Sequence, residues 1–179
     1  RSTMRIASCI GLSLLLWGAN ALAAAAPAEG QKAVLVTGAS TGIGRKVTER
    51  LAADGHFVYA GARKEKDLAE LDAIENVQAI RLDVTKPAEI AAAVETITKA
   101  GRGLYGLVNN AGVAVTGPFM DTKEEDFDFV MDVNTYGPFR VTKGFAPLII
   151  ASKGRITTIS SISGILSGAN AGVYSMSKH

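Results

Sequence analysis

The chain is 179 residues long, with 47% apolar, 20% charged and 6% aromatic residues, one cysteine and a formal net charge of +2. This fits one folded domain with a real core and excludes a disordered chain, a collagen-like repeat and a disulfide scaffold. The small net charge argues against a strongly basic nucleic-acid binder, and one cysteine can neither close an intrachain bridge nor build a Cys-rich metal site.

The first thirty residues differ from the rest. Residues 6–28 carry no charge and include Leu14, Leu15, Leu16, Trp17 and a run of alanines; Arg1 and Arg5 precede them, and Met4 is a candidate start. A basic stretch, an apolar stretch and a small-residue exit make the pattern of a secretory signal peptide. An uncleaved membrane anchor through residues 5–26 is the alternative, because about twenty apolar residues can span a bilayer; a fused upstream scar is the third. The expected organisation is a leader over 1–30 and one dinucleotide-binding domain over 31–179. The expected location is exported, periplasmic or membrane-anchored if the leader acts, and cytoplasmic otherwise. Arg1 and Arg5 account for the excess positive charge, since without them basic and acidic residues are equal at 17 each.

Beyond residue 31 strands and helices alternate. The β-branched run 33–37 reads as a strand. Ile43, Val47 and Leu51 then recur every four residues, one face of a helix. Residues 56–61 read as a second strand and 77–82 as a third. Pro87 opens a helix with Ile90, Val94 and Ile97 on one stripe. Residues 104–108 read as a fourth strand. Thr122 and Glu125 have capping-box spacing ahead of a long helix, with Phe127, Val130 and Met131 on its inner side. Residues 156–160 read as a fifth strand. This alternation predicts an α/β, Rossmann-like, doubly wound parallel sheet.

The strongest local signal is Thr-Gly-Ala-Ser-Thr-Gly-Ile-Gly at 37–44, between the first strand and the first helix. Gly38 permits a sharp turn, Gly42 lets the backbone approach a pyrophosphate, and Gly44 allows close helix–sheet packing. Ser40, Thr41 and Ile43 line the same turn, whose helix N-terminus offers free N–H groups to phosphates. A ligand-free βα turn has the same glycines, so this motif alone is not decisive. At the end of the second strand, Ala62 stands where an NAD site has an acid, and Arg63 follows it. A guanidinium there suits a 2′-phosphate, so NADP(H) is favoured and NAD(H) is the alternative; the bland reading is a solvated strand end.

Further motifs follow in order: Asp83-Val84 after the third strand, Asn109-Asn110-Ala111-Gly112 after the fourth, Asn134 in the long helix, Ser161 after the fifth, and Tyr174-Ser175-Met176-Ser177-Lys178. From Lys32 to His179 the chain resembles the short-chain dehydrogenase/reductase family. Residues 102–108, running into Asn109, are similar to members acting on retinols, hydroxysteroids and 3-hydroxybutyrate. The resemblance implies hydride transfer at a nicotinamide cofactor, with a catalytic set of Asn134, Ser161, Tyr174 and Lys178. Tyr174 would be the general acid/base, Lys178 would tune it and hold the nicotinamide ribose, and Asn134 would hold a relay water. Ser161 lies thirteen residues before Tyr174, the family's separation, and is chosen over Ser160 and Ser163.

Tyr174 and Lys178 are four apart and share a helix face. A free tyrosine titrates near 10, about three units too high for proton transfer at neutral pH, and a nearby ammonium favours the phenolate. Asp83 would hydrogen-bond adenine, or merely cap its own turn. Asn110, Ala111 and Gly112 would pass near the cofactor while steadying the sheet. Asn134 could instead mark a helix kink beside Gly137-Pro138. Val113, Ser163, Leu166 and Val173 are candidates for an apolar substrate pocket. His56 is expected on the surface, and neither it nor His179 is assigned to catalysis or metal.

The sequence stops one residue after Lys178, with five strand signals where the doubly wound fold uses about six. It is therefore read as truncated, with cofactor binding or turnover impaired in the chain as given. The expected function is an NADP(H)-dependent oxidoreductase interconverting a hydrophobic secondary alcohol and a ketone, homo-oligomeric in its complete form. A 3-oxoacyl or 3-hydroxy acid substrate, a non-catalytic nucleotide-binding protein and an inactive fragment are the alternatives.

Overall fold

The computed structural model of the chain describes residues 30–179. Residues 1–29 of the proposed leader lie outside the described residues. Among the described residues, no helix is long and apolar enough to cross a membrane.

The order is β1 (Ala33–Val36), α1 (Gly42–Ala53), β2 (Phe57–Ala62), α2 (Glu65–Asp72), β3 (Val77–Arg81), α3 (Pro87–Ala100), β4 (Gly106–Asn109), α4 (Glu124–Met131), α5 (Gly137–Ala151), β5 (Arg155–Thr158) and α6 (Gly172–Lys178). The five strands pair in parallel in the order β3-β2-β1-β4-β5. This is the expected Rossmann-like sheet. Strand order reverses direction between β1 and β4, and the crevice at such a switch point is where open α/β sheets bind ligands.

Alternation along each strand divides the core into two layers. Leu35, Tyr59 and Leu107 face α3 and α5, where Ile90, Ile97, Val141 and Phe145 complete one cluster. Val34, Val36, Val58 and Ala60 face the other way, with Ala52 of α1 and Leu71 of α2. The Tyr59 ring meets Phe57 edge-on at 5.1 Å. Burial pushes the Tyr59 hydroxyl above its usual range, against a smaller opposing effect of the Arg102 charge.

Several details depart from the sequence reading. The inner face of α1 is not the Ile43–Val47–Leu51 stripe but Gly44, Thr48 and Ala52; Val47 and Leu51 flank it and Ile43 is 60% exposed. Small side chains face the sheet because α1 sits against the Gly38 turn. Helix α2 has no clear periodic signal, since it is eight residues long with Leu71 as its buried residue. It stands by packing on the sheet rather than by propensity.

The expected capping box does not form. A single 3₁₀ turn, Phe119–Asp121, ends with the Thr122 N–H donating to the Phe119 carbonyl at 3.1 Å. Thr122 is thereby used by that turn, and α4 starts one residue later, with Lys123 at its N-cap and no side-chain cap bond. The long helix is also not continuous. Between α4 and α5 the segment Asp132–Tyr136 widens into a π-helical turn. His56 is half-buried, with Nδ1 enclosed, rather than on the surface.

Phe145 is fully buried on the α3–α5 side. Phe145→Ala is expected to cost about 3–5 kcal/mol of stability, read as a lower urea midpoint at unchanged m-value.

Candidate active site

Parallel strands bring all five C-terminal ends to one edge of the sheet, and a cleft of about 320 Å³ opens there. Its lining includes Gly38, Ser40, Thr41 and Ile43 from the first turn, and Ala62 and Arg63 from the end of β2. Asp83 and Val84 come from the end of β3, and Asn110, Ala111, Gly112 and Val113 from the end of β4.

The floor is locked by one buried hydroxyl. Thr37 Oγ1 accepts the backbone N–H groups of Asn110 and Ala111, each at 3.0 Å. Asn110 Nδ2 donates back to the carbonyls of Thr37 (2.9 Å) and Gly38 (3.0 Å). Ala39 N–H reaches the Gly61 carbonyl at 2.9 Å, tying the same turn to β2. Gly38 has φ +63°, and a Cβ there would lie 2.8 Å from Ala111 Cα. A Cβ at Gly44 would collide with the Gly38 carbonyl and the Asn110 amide. Both glycines are therefore required by close approach, and α1 begins with its free N–H groups at the cleft. The residues present fit a dinucleotide phosphate cradle.

Arg63 is exposed at the cleft rim and makes no ion pair among the described residues. Its backbone carbonyl accepts from Arg81 Nη1 at 2.7 Å, and Arg81 also pairs with Glu65. Asp83 performs the bland role foreseen for it: Oδ1 accepts from the Thr85 N–H (3.0 Å) and hydroxyl (2.7 Å). It lines the cleft as well. Burial by itself would raise the Asp83 carboxyl. The Thr85 hydrogen bonds and the Arg63 and Lys86 charges outweigh that, and hold it below its usual range.

Beyond Val113 lies a second cluster. Asn134, in the π turn, is 6% exposed and fully engaged. Its Oδ1 accepts from the Val113 N–H at 2.8 Å, and its Nδ2 donates to the Val113 carbonyl and to Ser177 Oγ, each at 2.8 Å. In an α-helix the Asn134 carbonyl would be bonded by the N–H of residue 138, which is a proline and has none. Asn134 therefore sits in the kink, as one of its two readings expected. Lys178 Nζ donates to the Ile159 carbonyl at the end of β5 (3.1 Å) and lies 5.8 Å from the centre of the Tyr174 ring. A Cβ at Gly112 would lie 3.5 Å from Lys178 Nζ and 3.4 Å from Asn134 Oδ1, so these three meet at the cleft's end.

Ser161 heads a 3₁₀ turn, and its hydroxyl accepts from the Ser163 N–H at 3.1 Å. Ser160 points elsewhere, to the Lys178 carbonyl at 3.3 Å. Among the described residues no hydrogen bond joins the Tyr174 hydroxyl to Ser161 or Lys178. Of the pocket candidates, Val113 lines the cleft and Leu166 is exposed. Val173 is 3% exposed and belongs to the packing of α6, not to a pocket wall. The loops after β4 and β5 meet, with the Gly117 N–H donating to the Asn170 carbonyl at 2.9 Å and Phe119 against Gly172.

The family pattern described as "short chain dehydrogenase" matches residues 32–179, nearly all of the described chain. The chain belongs to the short-chain dehydrogenase family. It is 36% identical over 171 residues to the mitochondrial D-beta-hydroxybutyrate dehydrogenase of Bos taurus, covering 90% of this chain and 50% of that protein. It is 35% identical over 153 residues to Retinol dehydrogenase 16 of Homo sapiens, covering 83% and 48%. A crystal structure of a short-chain dehydrogenase from Streptomyces avermitilis superposes with TM-score 0.79 at 34% identity, covering 85% of this chain and 57% of that one. A member from Burkholderia phymatum in complex with NAD has TM-score 0.79 at 29% identity, covering 83% and 56%. The chain thus spans about half the length of the curated relatives it matches.

For this family member, sequence reasoning passed over the role of Thr37 although it opens the glycine motif. A lone threonine at a strand end carries no periodic signal, and its two N–H donors come from more than seventy residues away. Thr37→Val keeps the shape and leaves both N–H groups unpaired in a buried site. It is expected to cost about 1–3 kcal/mol, measured by thermal or urea unfolding, with coenzyme affinity falling in parallel because the loop no longer holds its turn.

Proposed function

We propose that the protein is an NADP(H)-dependent oxidoreductase interconverting a secondary alcohol and a ketone. The observation that carries this reading is that the cleft runs from the glycine turn to Gly112, and that Asn134 and Lys178 meet Gly112 there. A nicotinamide coenzyme, when bound, supplies the hydride. The chain's residues supply position and the proton. The α1 N-terminus and the Gly38–Gly44 backbone hold the phosphates. Lys178, fixed by the Ile159 carbonyl, holds the ribose and sits beside Tyr174. The Tyr174 hydroxyl gives a proton to the substrate oxygen in reduction and takes it back in oxidation. The Ser161 hydroxyl donates to the same oxygen as negative charge develops there; its proton is free for this, because towards Ser163 its oxygen only accepts.

Arg63 supports the choice of NADP(H): it is an exposed cation at the end of β2, at the cleft rim, with Ala62 in place of an acid. The names of the relatives, a hydroxybutyrate and a retinol dehydrogenase, support a carbonyl or alcohol substrate, either a hydrophobic ketone or a short hydroxy acid. Exposed Ile162, Ile165 and Leu166 beside Ser161 favour the hydrophobic one.

Tyr174→Phe is expected to lower turnover at least a hundredfold while NADPH affinity, measured by fluorescence quenching, changes little; surviving turnover would overturn the acid/base assignment. Arg63→Ala is expected to weaken NADPH at least tenfold more than NADH. Equal weakening of the two coenzymes in titration would remove the phosphate role.

A further inference from the structure

The hydroxyl of Ser177 is used by none of the roles above, yet it makes two hydrogen bonds, one of them to another element. It accepts from Asn134 Nδ2 at 2.8 Å and donates to the Tyr174 carbonyl at 2.7 Å. A serine that donates back to the carbonyl three residues earlier is ordinary helix behaviour. The bond from Asn134 is not, because it comes from another element, 43 residues away in sequence. With its one proton committed to Tyr174, the Ser177 oxygen can face Asn134 only as an acceptor. Asn134 in turn has both amide hydrogens and its oxygen committed, two of these bonds going to Val113 on the cleft wall.

Helix α6 is seven residues long, too short to hold its own conformation. Besides its packing on α4, two sets of polar attachments place it. On the β5 side, Lys178 bonds the Ile159 carbonyl, Ser160 bonds the Lys178 carbonyl, and Gly164 lies against that same carbonyl. On the opposite side, the Ser177–Asn134 bond is the one hydrogen bond among the described residues that joins α6 to the π turn. Without it α6 keeps its apolar packing on α4 through Val173, but no hydrogen bond fixes its rotation on that side, and it can roll about its β5-side attachments. A roll moves Tyr174 relative to Val113 and Gly112.

We propose that Ser177 is a positioning residue that sets the orientation of Tyr174 and Lys178 against the cleft by bridging Asn134 to the backbone of α6. This rests on the oxidoreductase reading for its effect on turnover, but not for its effect on α6. Alanine at 177 leaves one Asn134 hydrogen without a partner in a nearly closed site, which is costly. Threonine keeps the hydroxyl and should restore the bridge.

The test compares the wild-type protein with Ser177→Ala and Ser177→Thr. Hydrogen exchange of the amides in residues 173–178 is expected to quicken about tenfold in Ser177→Ala and to return toward wild type in Ser177→Thr. In turnover assays Ser177→Ala is expected to lower kcat about tenfold or more with coenzyme KM within about twofold, again restored by threonine. Wild-type exchange over 173–178 in Ser177→Ala would overturn the proposal. So would equal losses in alanine and threonine variants, which would mark a packing role. If the wild-type protein turned over no carbonyl or alcohol, the functional reading would fail, and the exchange comparison would still decide whether Ser177 positions the helix.

Discussion

The site depends on the pairing of backbone groups at the carboxyl edge of the sheet. Where parallel strands end, their last N–H and carbonyl groups lose their ladder partners, and a buried one left unpaired is costly. Thr37 and Asn110 resolve this for the two central strands by exchanging bonds across the switch point. Their exchange closes the floor of the cleft and brings the Gly38 turn so near Ala111 that no side chain fits between them. It also forces α1 to turn Gly44 toward the sheet. The small-residue inner face of α1, Gly44–Thr48–Ala52, follows from that contact rather than from hydrophobicity.

The second constraint is the π turn. Pro138 removes the N–H that an unbroken helix would need, and Gly137 packs so closely on Val84 that a Cβ there would lie 2.7 Å from it. The wider turn at Asp132–Tyr136 buries the Asn134 amide against Val113 on one side and Ser177 on the other. A backbone irregularity thereby joins the cofactor cleft to the helix carrying Tyr174 and Lys178. π-bulges are found disproportionately at functional sites, and this one carries the Asn134 side chain that bonds Val113 and Ser177.

Much of this was legible in the chain. The five strands fall within a few residues of where their β-branched runs place them, and α3 starts at its proline as expected. Helix α2 was not legible, because eight residues with one buried leucine give too few points for a period. The capping-box reading at Thr122 failed because a local signature does not know that the preceding turn has already engaged the threonine. Val173 reads as a pocket residue in sequence, since an apolar side chain beside Tyr174 could face either way. The packing of α6 turns it inward.

The sequence by itself determined the layered α/β architecture, the glycine turn between β1 and α1, and the order of the site motifs. Each of these rests on local chemistry: side-chain period, glycine's access to positive φ, and proline's missing donor. The tertiary structure alone decided which of those motifs touch. That Thr37 meets Asn110, that Gly112 faces Lys178, and that Asn134 reaches Ser177 are contacts between residues 43 to 73 apart or otherwise distant in the chain. No local pattern encodes them, because they exist only once five parallel strands have brought their ends to one edge.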